Sequence, residues 1–355
     1  MTMIATRDHA FTTGNSIAAD RVAWIDASKG LAIILMVFCH VLGGAVERGV
    51  LDAEGPSREI YKFIYLFHMP LFFVVSGMFC IAPMRANPID ALIGRTESIA
   101  WPYLFWEFLV GTALLQITAA SSPPSDIEWS NRFVRAMSGE LGWFLWTMYV
   151  MQVMLIPVAR LPVWILFVAS VCACLYLQDT DLGTFSLVID HLPFLLLGAM
   201  LQPFAARFVF SDRLTPLALS LGAFLFLWLS LNAGWTEYKI VWLLCGSAGS
   251  LALMCLVQYL GKTIEQTVLA RIGAATLVIY LLHSYFLNAG LELATSLFAA
   301  APWGQLVILT IVGVAGPFFA WKITQRRGLL WLFRLKLSTS LQQQSPSPGW
   351  LSFRR

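Results

Sequence analysis

Charge is scarce in this chain. Of 355 residues only 12% are Asp, Glu, Lys or Arg, whereas 58% are apolar, and the mean hydropathy is +0.73. No soluble core of this length requires so apolar a composition. Cysteine is sparse too. All six, Cys39, Cys80, Cys172, Cys174, Cys245 and Cys255, lie in or beside apolar runs, where a thiol serves as a small buried hydrophobe. They form no disulfide framework, and Cys172-Ala-Cys174 lacks the two-to-four-residue gap of a zinc-ligand pair, so no metal is expected. No basic stripe is interleaved with exposed aromatics, which excludes a nucleic-acid partner, and the formal charge of +3 is a small excess. The first 20 residues, with Asp8, His9 and scattered hydroxyls, lack the compact apolar core and cleavage site of a removable signal peptide. There is no inserted soluble domain, no internal repeat, and no matched pair of Gly-interrupted helices of the kind that marks inverted-repeat transporters. Gly316-Pro317 is expected to break the last helix, with no counterpart earlier.

Apolar runs near the length needed to cross a hydrocarbon layer of about 30 Å recur from end to end. They lie near 31–47, 61–81, 101–119, 141–158, 162–177, 185–203, 214–232, 239–260, 272–290 and 303–322, which predicts an all-α, polytopic integral membrane helix bundle of about ten transmembrane helices. Only Ala159-Arg160-Leu161-Pro162 divides the fourth from the fifth. Residues 1–20 read as a cytoplasmic N-terminal segment, 21–336 as the transmembrane domain, and 337–355 as a disordered cytoplasmic tail without an apolar face. The connection at about 120–140 is too short to fold alone, but long enough for a lid or a short interfacial helix.

With both termini placed in the cytosol, only Arg48, Arg58, Lys62, Arg132, Arg135 and Lys239 fall outside, leaving 17 of the 23 basic residues inside, as the positive-inside tendency expects. The lipid bilayer is thus the first partner. Nothing in the sequence sets an oligomeric state.

The ionisable residues inside the apolar runs point to function, because burial at that depth is costly. His40 lies eleven residues after Lys29, about 16 Å along one helix. His68 follows the start of the second run near Tyr61 by about 10 Å, so the two histidines are expected to meet in one cavity. Pro70 removes a backbone bond to Leu66 and loosens the turn that carries His68, while Ser76 and Gly77 permit close helix approach. Glu107 is expected to face the cavity or a partner, since a carboxylate does not face lipid. Most of the fourteen tryptophans read as interface belts and packing, with Trp143 singled out as a sugar platform.

These residues resemble a family. Lys29, ten intervening positions and His40, joined to His68-Met-Pro-Leu-Phe-Phe-x-x-Ser76-Gly77, are similar to the membrane-bound acyltransferase 3 family, which includes fucose 4-O-acetylase-like members and polysaccharide O-acetyltransferases. Trp143-Phe-Leu and Ile279-Tyr-Leu-Leu-His283 are similar to weaker family features, so the resemblance spans roughly 21–283. It implies a transferase of the bacterial inner (plasma) membrane that moves an acyl group, usually acetyl from acetyl-CoA as donor substrate, onto a carbohydrate hydroxyl. No permanently bound cofactor is implied.

The chemistry agrees. A hydroxyl attacking a thioester must lose its proton as the bond forms, and a neutral imidazole suits that task. His40 is the leading general base, or the acyl carrier if the group is relayed, with His68 as second catalytic candidate. Ser76, Glu107, Trp143 and His283 are candidates for the substrate cavity. Asp26, about 21 Å along the helix from His40, is too far to orient it. Lys29 and Arg95 are placed to meet CoA phosphates, an ammonium and a forked guanidinium both suiting that anion. The other class left open is a proton-coupled transporter or flippase of a glycan or lipid-linked sugar, with His40 and His68 as its proton relay.

Overall fold

The computed structural model describes residues 8–118, 128–205, 210, 212–261, 263–298 and 301–335, without the side chains of 8–22, 117, 118, 264 and 293. The expected disordered tail therefore lies outside the described residues. Among those described there is no strand: the chain is a bundle of helices.

Seven stretches are long and apolar enough to cross a membrane, and an eighth is so if a bent pair counts as one span. The long first helix α1 (Asp8–Glu47) carries the first of them. The second is made by α2 (Pro56–Tyr65) and α3 (His68–Ala86). The third joins α4 (Pro88–Arg95), π-helical turns at Thr96–Ala100 and Tyr103–Val110, and α5 (Gly111–Thr118). A short α6 (Trp129–Met137) then fills the place where a short interfacial helix was expected. The remaining long spans are α9 (Phe185–Leu201), α10 (Leu214–Asn232), α11 (Lys239–Leu260) and α14 (Pro302–Arg326). The bent pair is α12 (Ile264–Ala274) and α13 (Thr276–Leu297).

The helices depart from the expected runs in three places. The fourth and fifth runs do separate where expected, but α7 (Trp143–Leu155) has 13 residues and α8 (Val163–Tyr176) has 14. Each is therefore about 20 Å long, short of the hydrocarbon thickness. Pro157 and Pro162 end the one and open the other, and Arg85 holds the turn between them by donating to the carbonyls of Ala159 (2.7 Å) and Leu161 (3.0 Å). The ninth run, 272–290, lies mostly in α13, and the preceding α12 meets that helix at 81° across Ala275. In the last run Gly316-Pro317 does not break α14. The helix continues through Pro317, and Gly316 gives room to the Phe286 ring.

Packing explains the order of layers. Apart from its ends α3 is apolar on every side, the pattern of a helix buried all round, and it is the central one. Phe73 on α3, Phe194 and Leu195 on α9 and Met151 on α7 are among the fully buried side chains around it. Two glycine pairs set the closest crossings. A Cβ on Gly77 would occupy the place of the Leu195 carbonyl of α9, and one on Gly198 that of the Val74 carbonyl of α3. Gly30 on α1 and Gly273 on α12 stand in the same reciprocal relation to Leu269 and Asp26. Small residues let backbones approach in this way, and the second crossing lies just before the 81° bend.

Candidate active site

The α2–α3 junction builds the first functional side chain. Pro70 has no N–H, so the backbone bond to Leu66 is missing and the helix is interrupted at Leu66-Phe67. The Ile64 carbonyl, which a continuous helix would pair with the residue 68 N–H, instead accepts from Phe67 N (3.2 Å) and from His68 Nδ1 (2.8 Å). A carbonyl only accepts, so this bond places the proton on Nδ1 and leaves Nε2 with a lone pair. His283 on α13 is held in the same way, Nδ1 donating to the Tyr280 carbonyl at 2.7 Å.

His40, His68 and His283 line one open cavity of about 510 Å³, within the range of small-molecule sites. Its wall also includes Tyr61, Tyr65, Glu107, Trp143 and Tyr280. The His40 and His283 rings lie 4.9 Å apart, and Tyr65 meets the edge of His68 at 5.2 Å. The three differ in accessibility. His68 and His283 are buried, whereas His40 is exposed to the cavity and its ring has no hydrogen bond among the described residues. Of the three it is the one most open to the cavity.

Glu107 enters from the π-helical turn Tyr103–Val110, an irregularity common at functional sites. Gly142 leaves the space that its carboxyl stem occupies. Arg132 of α6 braces the turn, donating to the Glu107 carbonyl and to Thr112 Oγ1 at 3.3 Å each. Trp143 opens α7 and stands between this cavity and a second one of about 730 Å³.

Toward the Lys29 end, a cavity of about 280 Å³ is lined by Lys29, Ser76, Phe144 and Tyr280. Tyr280 belongs to both this space and the histidine cavity, so it forms the partition between them. Ser76 thus faces the inner space and not the histidines, and its Oγ accepts from Gln152 Nε2 at 3.1 Å. Lys29 is paired with Asp26 at 2.6 Å. Asp26 therefore serves Lys29, not His40.

Arg95 lines neither space. It lies beside the segment after α14, where Leu335 N donates to the Glu97 carbonyl (3.2 Å) and Trp106 stacks on Phe333 at 5.4 Å. This docking brings Arg334 close enough for the two guanidinium charges to interact. The Nε atoms of Arg95 and Arg334 are both buried with no hydrogen-bond partner. Sequence reading missed Arg334, which lies 239 positions from Arg95. The aromatic run Trp331-Leu332-Phe333 before it was the available signal that this segment is anchored. Tyr280 was also missed as a cavity wall, although its neighbour His283 was singled out.

Among the described residues no group of His, Cys, Asp and Glu is arranged to hold a metal ion. The geometry brings together three histidines around one open cavity, with Lys29, Arg95 and Arg334 toward the other end.

The family model described as an acyltransferase domain, that of the acyltransferase 3 family, matches residues 22–322. Similar proteins include nodulation protein NolL of Mesorhizobium japonicum, 26% identical over 152 residues, covering 41% of this chain and 39% of that protein. NolL of Sinorhizobium fredii is 29% identical over 189 residues, covering 51% of this chain and 49% of the relative. The matches thus span about half or less of these relatives' length. No solved structure matches the chain. With a family match running from the first span into the last, and with Lys29, His40, His68 and His283 inside it, the chain belongs to the acyltransferase 3 family of helical membrane proteins.

Proposed function

We propose that this protein is an O-acyltransferase of the bacterial inner membrane, moving acetyl from acetyl-CoA to a hydroxyl of a surface glycan or lipid-linked saccharide. Residues 21–336 form the catalytic domain in this reading, with both termini cytoplasmic. The observation that carries it is the cavity in which His40 alone of three histidines is both accessible and free of a hydrogen bond. The hydroxyl oxygen attacks the thioester carbonyl carbon as His40 takes its proton. The C–S bond then breaks, and the imidazolium returns the proton to the leaving thiolate. The products are an acetyl ester and free CoA. His68 and His283, their Nδ1 protons committed to carbonyls, keep the cavity walls polar and present Nε2 lone pairs.

The donor arrives at the Lys29 end. Arg95 and Arg334, with two buried Nε donors unmatched, suit the phosphates of CoA, while Lys29, already paired with Asp26, adds less. The thioester arm reaches His40 past Tyr280, which separates the two spaces. The acceptor enters from the opposite end, beside Glu47 and Tyr61.

The test is thiol release from acetyl-CoA by the purified chain in nanodiscs, with and without a panel of saccharide acceptors, beside His40→Ala. Acceptor-dependent release lost in the variant supports His40 as base. Stoichiometric release without acceptor points to an acyl-imidazole relay on the same residue. A well-folded protein that releases no thiol with any donor or acceptor overturns acyl transfer and makes proton-coupled flux of a sugar the next measurement.

A further inference from the structure

The second cavity is a built site that acyl transfer alone does not use. It shares Tyr65, Met69 and Trp143 with the histidine cavity, so the two are adjoining compartments at the same end of the bundle. Its charged groups are held in pairs. Lys239 Nζ lies 2.8 Å from Asp190 Oδ2, and Arg135 Nε lies 3.1 Å from Glu140 Oε2. Glu140 is fixed further by Ser138 Oγ, which donates to its other oxygen at 3.0 Å. With Glu237 added, the two cations and three carboxylates leave a formal charge of −1 on the lining. That balance disfavours phosphate or any other anionic ligand.

The aromatic side is equally organised. Trp242 packs edge-on against His191 at 5.7 Å and lies under Lys239 Nζ, 5.0 Å from the ring centroid. His191 is buried, fixed by Nδ1 donating to the Leu187 carbonyl (2.9 Å), and sits 5.4 Å from the Trp143 ring. Two indoles therefore flank a cleft whose other walls carry carboxylates, cations and the threonines Thr184 and Thr236. Indoles present an apolar body to C–H faces, and fixed carboxylates and cations accept from and donate to hydroxyls. That pairing matches a neutral pyranose ring.

We infer that this second cavity is an acceptor subsite, binding the neutral sugar ring adjacent to the one acylated, so that the acceptor is a disaccharide or longer. The inference rests on the acyl-transfer reading for the word acceptor, and the binding itself is tested without chemistry. Trp143 forms the shared wall, which lets one ring lie at His40 while the next lies against Trp242 and Glu237.

The experiment is saturation-transfer NMR on the full chain in nanodiscs, without donor, using cellobiose, maltose, lactose and diacetylchitobiose as probes and glucose 6-phosphate as the anionic control. At least one neutral disaccharide is expected to bind wild type, at least tenfold more weakly to Trp242→Ala, and severalfold more weakly to Glu237→Gln. Glu237 is exposed, so its variant keeps the fold if Trp242→Ala does not. No binding by any of the four, affinity unchanged in both variants, or tighter binding of the sugar phosphate overturns the subsite. Binding that weakens in both variants while no protein releases CoA upholds the subsite and overturns acyl transfer instead.

Discussion

The two ends of this molecule treat charge in opposite ways. At the Glu47 end, Lys239 and Arg135 each have a carboxylate partner, and aromatic rings fill the space between the pairs. At the Lys29 end, Arg95 and Arg334 lie close to one another with buried Nε atoms unmatched, while Lys29 is paired with Asp26. A compensated, aromatic-lined space suits a neutral polyol, whereas uncompensated guanidinium groups suit a polyanion. The histidine cavity opens at the first end and reaches inward to Tyr280, which borders the space at the second. In the proposed function, the difference gives the neutral acceptor to the first end and the anionic donor to the second, an assignment that composition alone could not suggest.

Four measurements break or sharpen that contrast. The largest effect is expected between the ends: His40→Ala should lower kcat by about 10²- to 10⁴-fold, the usual worth of a general base, at unchanged protein abundance. Turnover within tenfold of wild type would remove His40 from the chemistry. Next, Arg334→Ala or Arg95→Ala should raise the KM for acetyl-CoA by about ten- to a hundredfold, as expected for a lost charge-assisted hydrogen bond, with the acceptor KM little changed. An effect on the acceptor KM alone would reverse the assignment of ends. Lys29→Met should raise the donor KM only about two- to fivefold, because Asp26 already offsets the charge. The smallest effect is expected for Arg135→Gln on the donor KM, below about twofold, since its half-exposed ion pair is worth about 1 kcal/mol or less. A larger rise would bring the donor to the Glu47 end.

Much of the site was legible because its signals are local. His40 and Lys29 share one helix, so a fixed rise gives their separation, and Pro70 announces the interruption that turns His68 toward Ile64. Gly77 was read as a close-approach position, and its partner Gly198 on α9 confirms the reason. What escaped notice was non-local. Arg334 acquires its meaning only when Phe333 docks on Trp106. His191 is simply the neighbour of Asp190 in sequence, yet it packs against Trp143 and Trp242 from two other helices. Ser76 was misdirected for the converse reason: sharing a helix with His68 does not mean sharing its face, and two turns along α3 it looks into the inner space. The 81° turn at Ala275 was not legible, because hydropathy carries no direction.

The shortness of α7 and α8 has a consequence for the surrounding lipid. Each covers about 20 Å, while Trp164, Ile165 and Val168 on α8 face outward. A bilayer of ordinary thickness would meet that face with a hydrophobic mismatch, which local thinning would relieve. Headgroups on that flank would be drawn toward one another beside the helix that Trp143 begins. A polyprenyl- or diacyl-anchored saccharide would find the least depth of hydrocarbon to cross there, making membrane thickness itself a determinant of how readily the acceptor reaches the cavity.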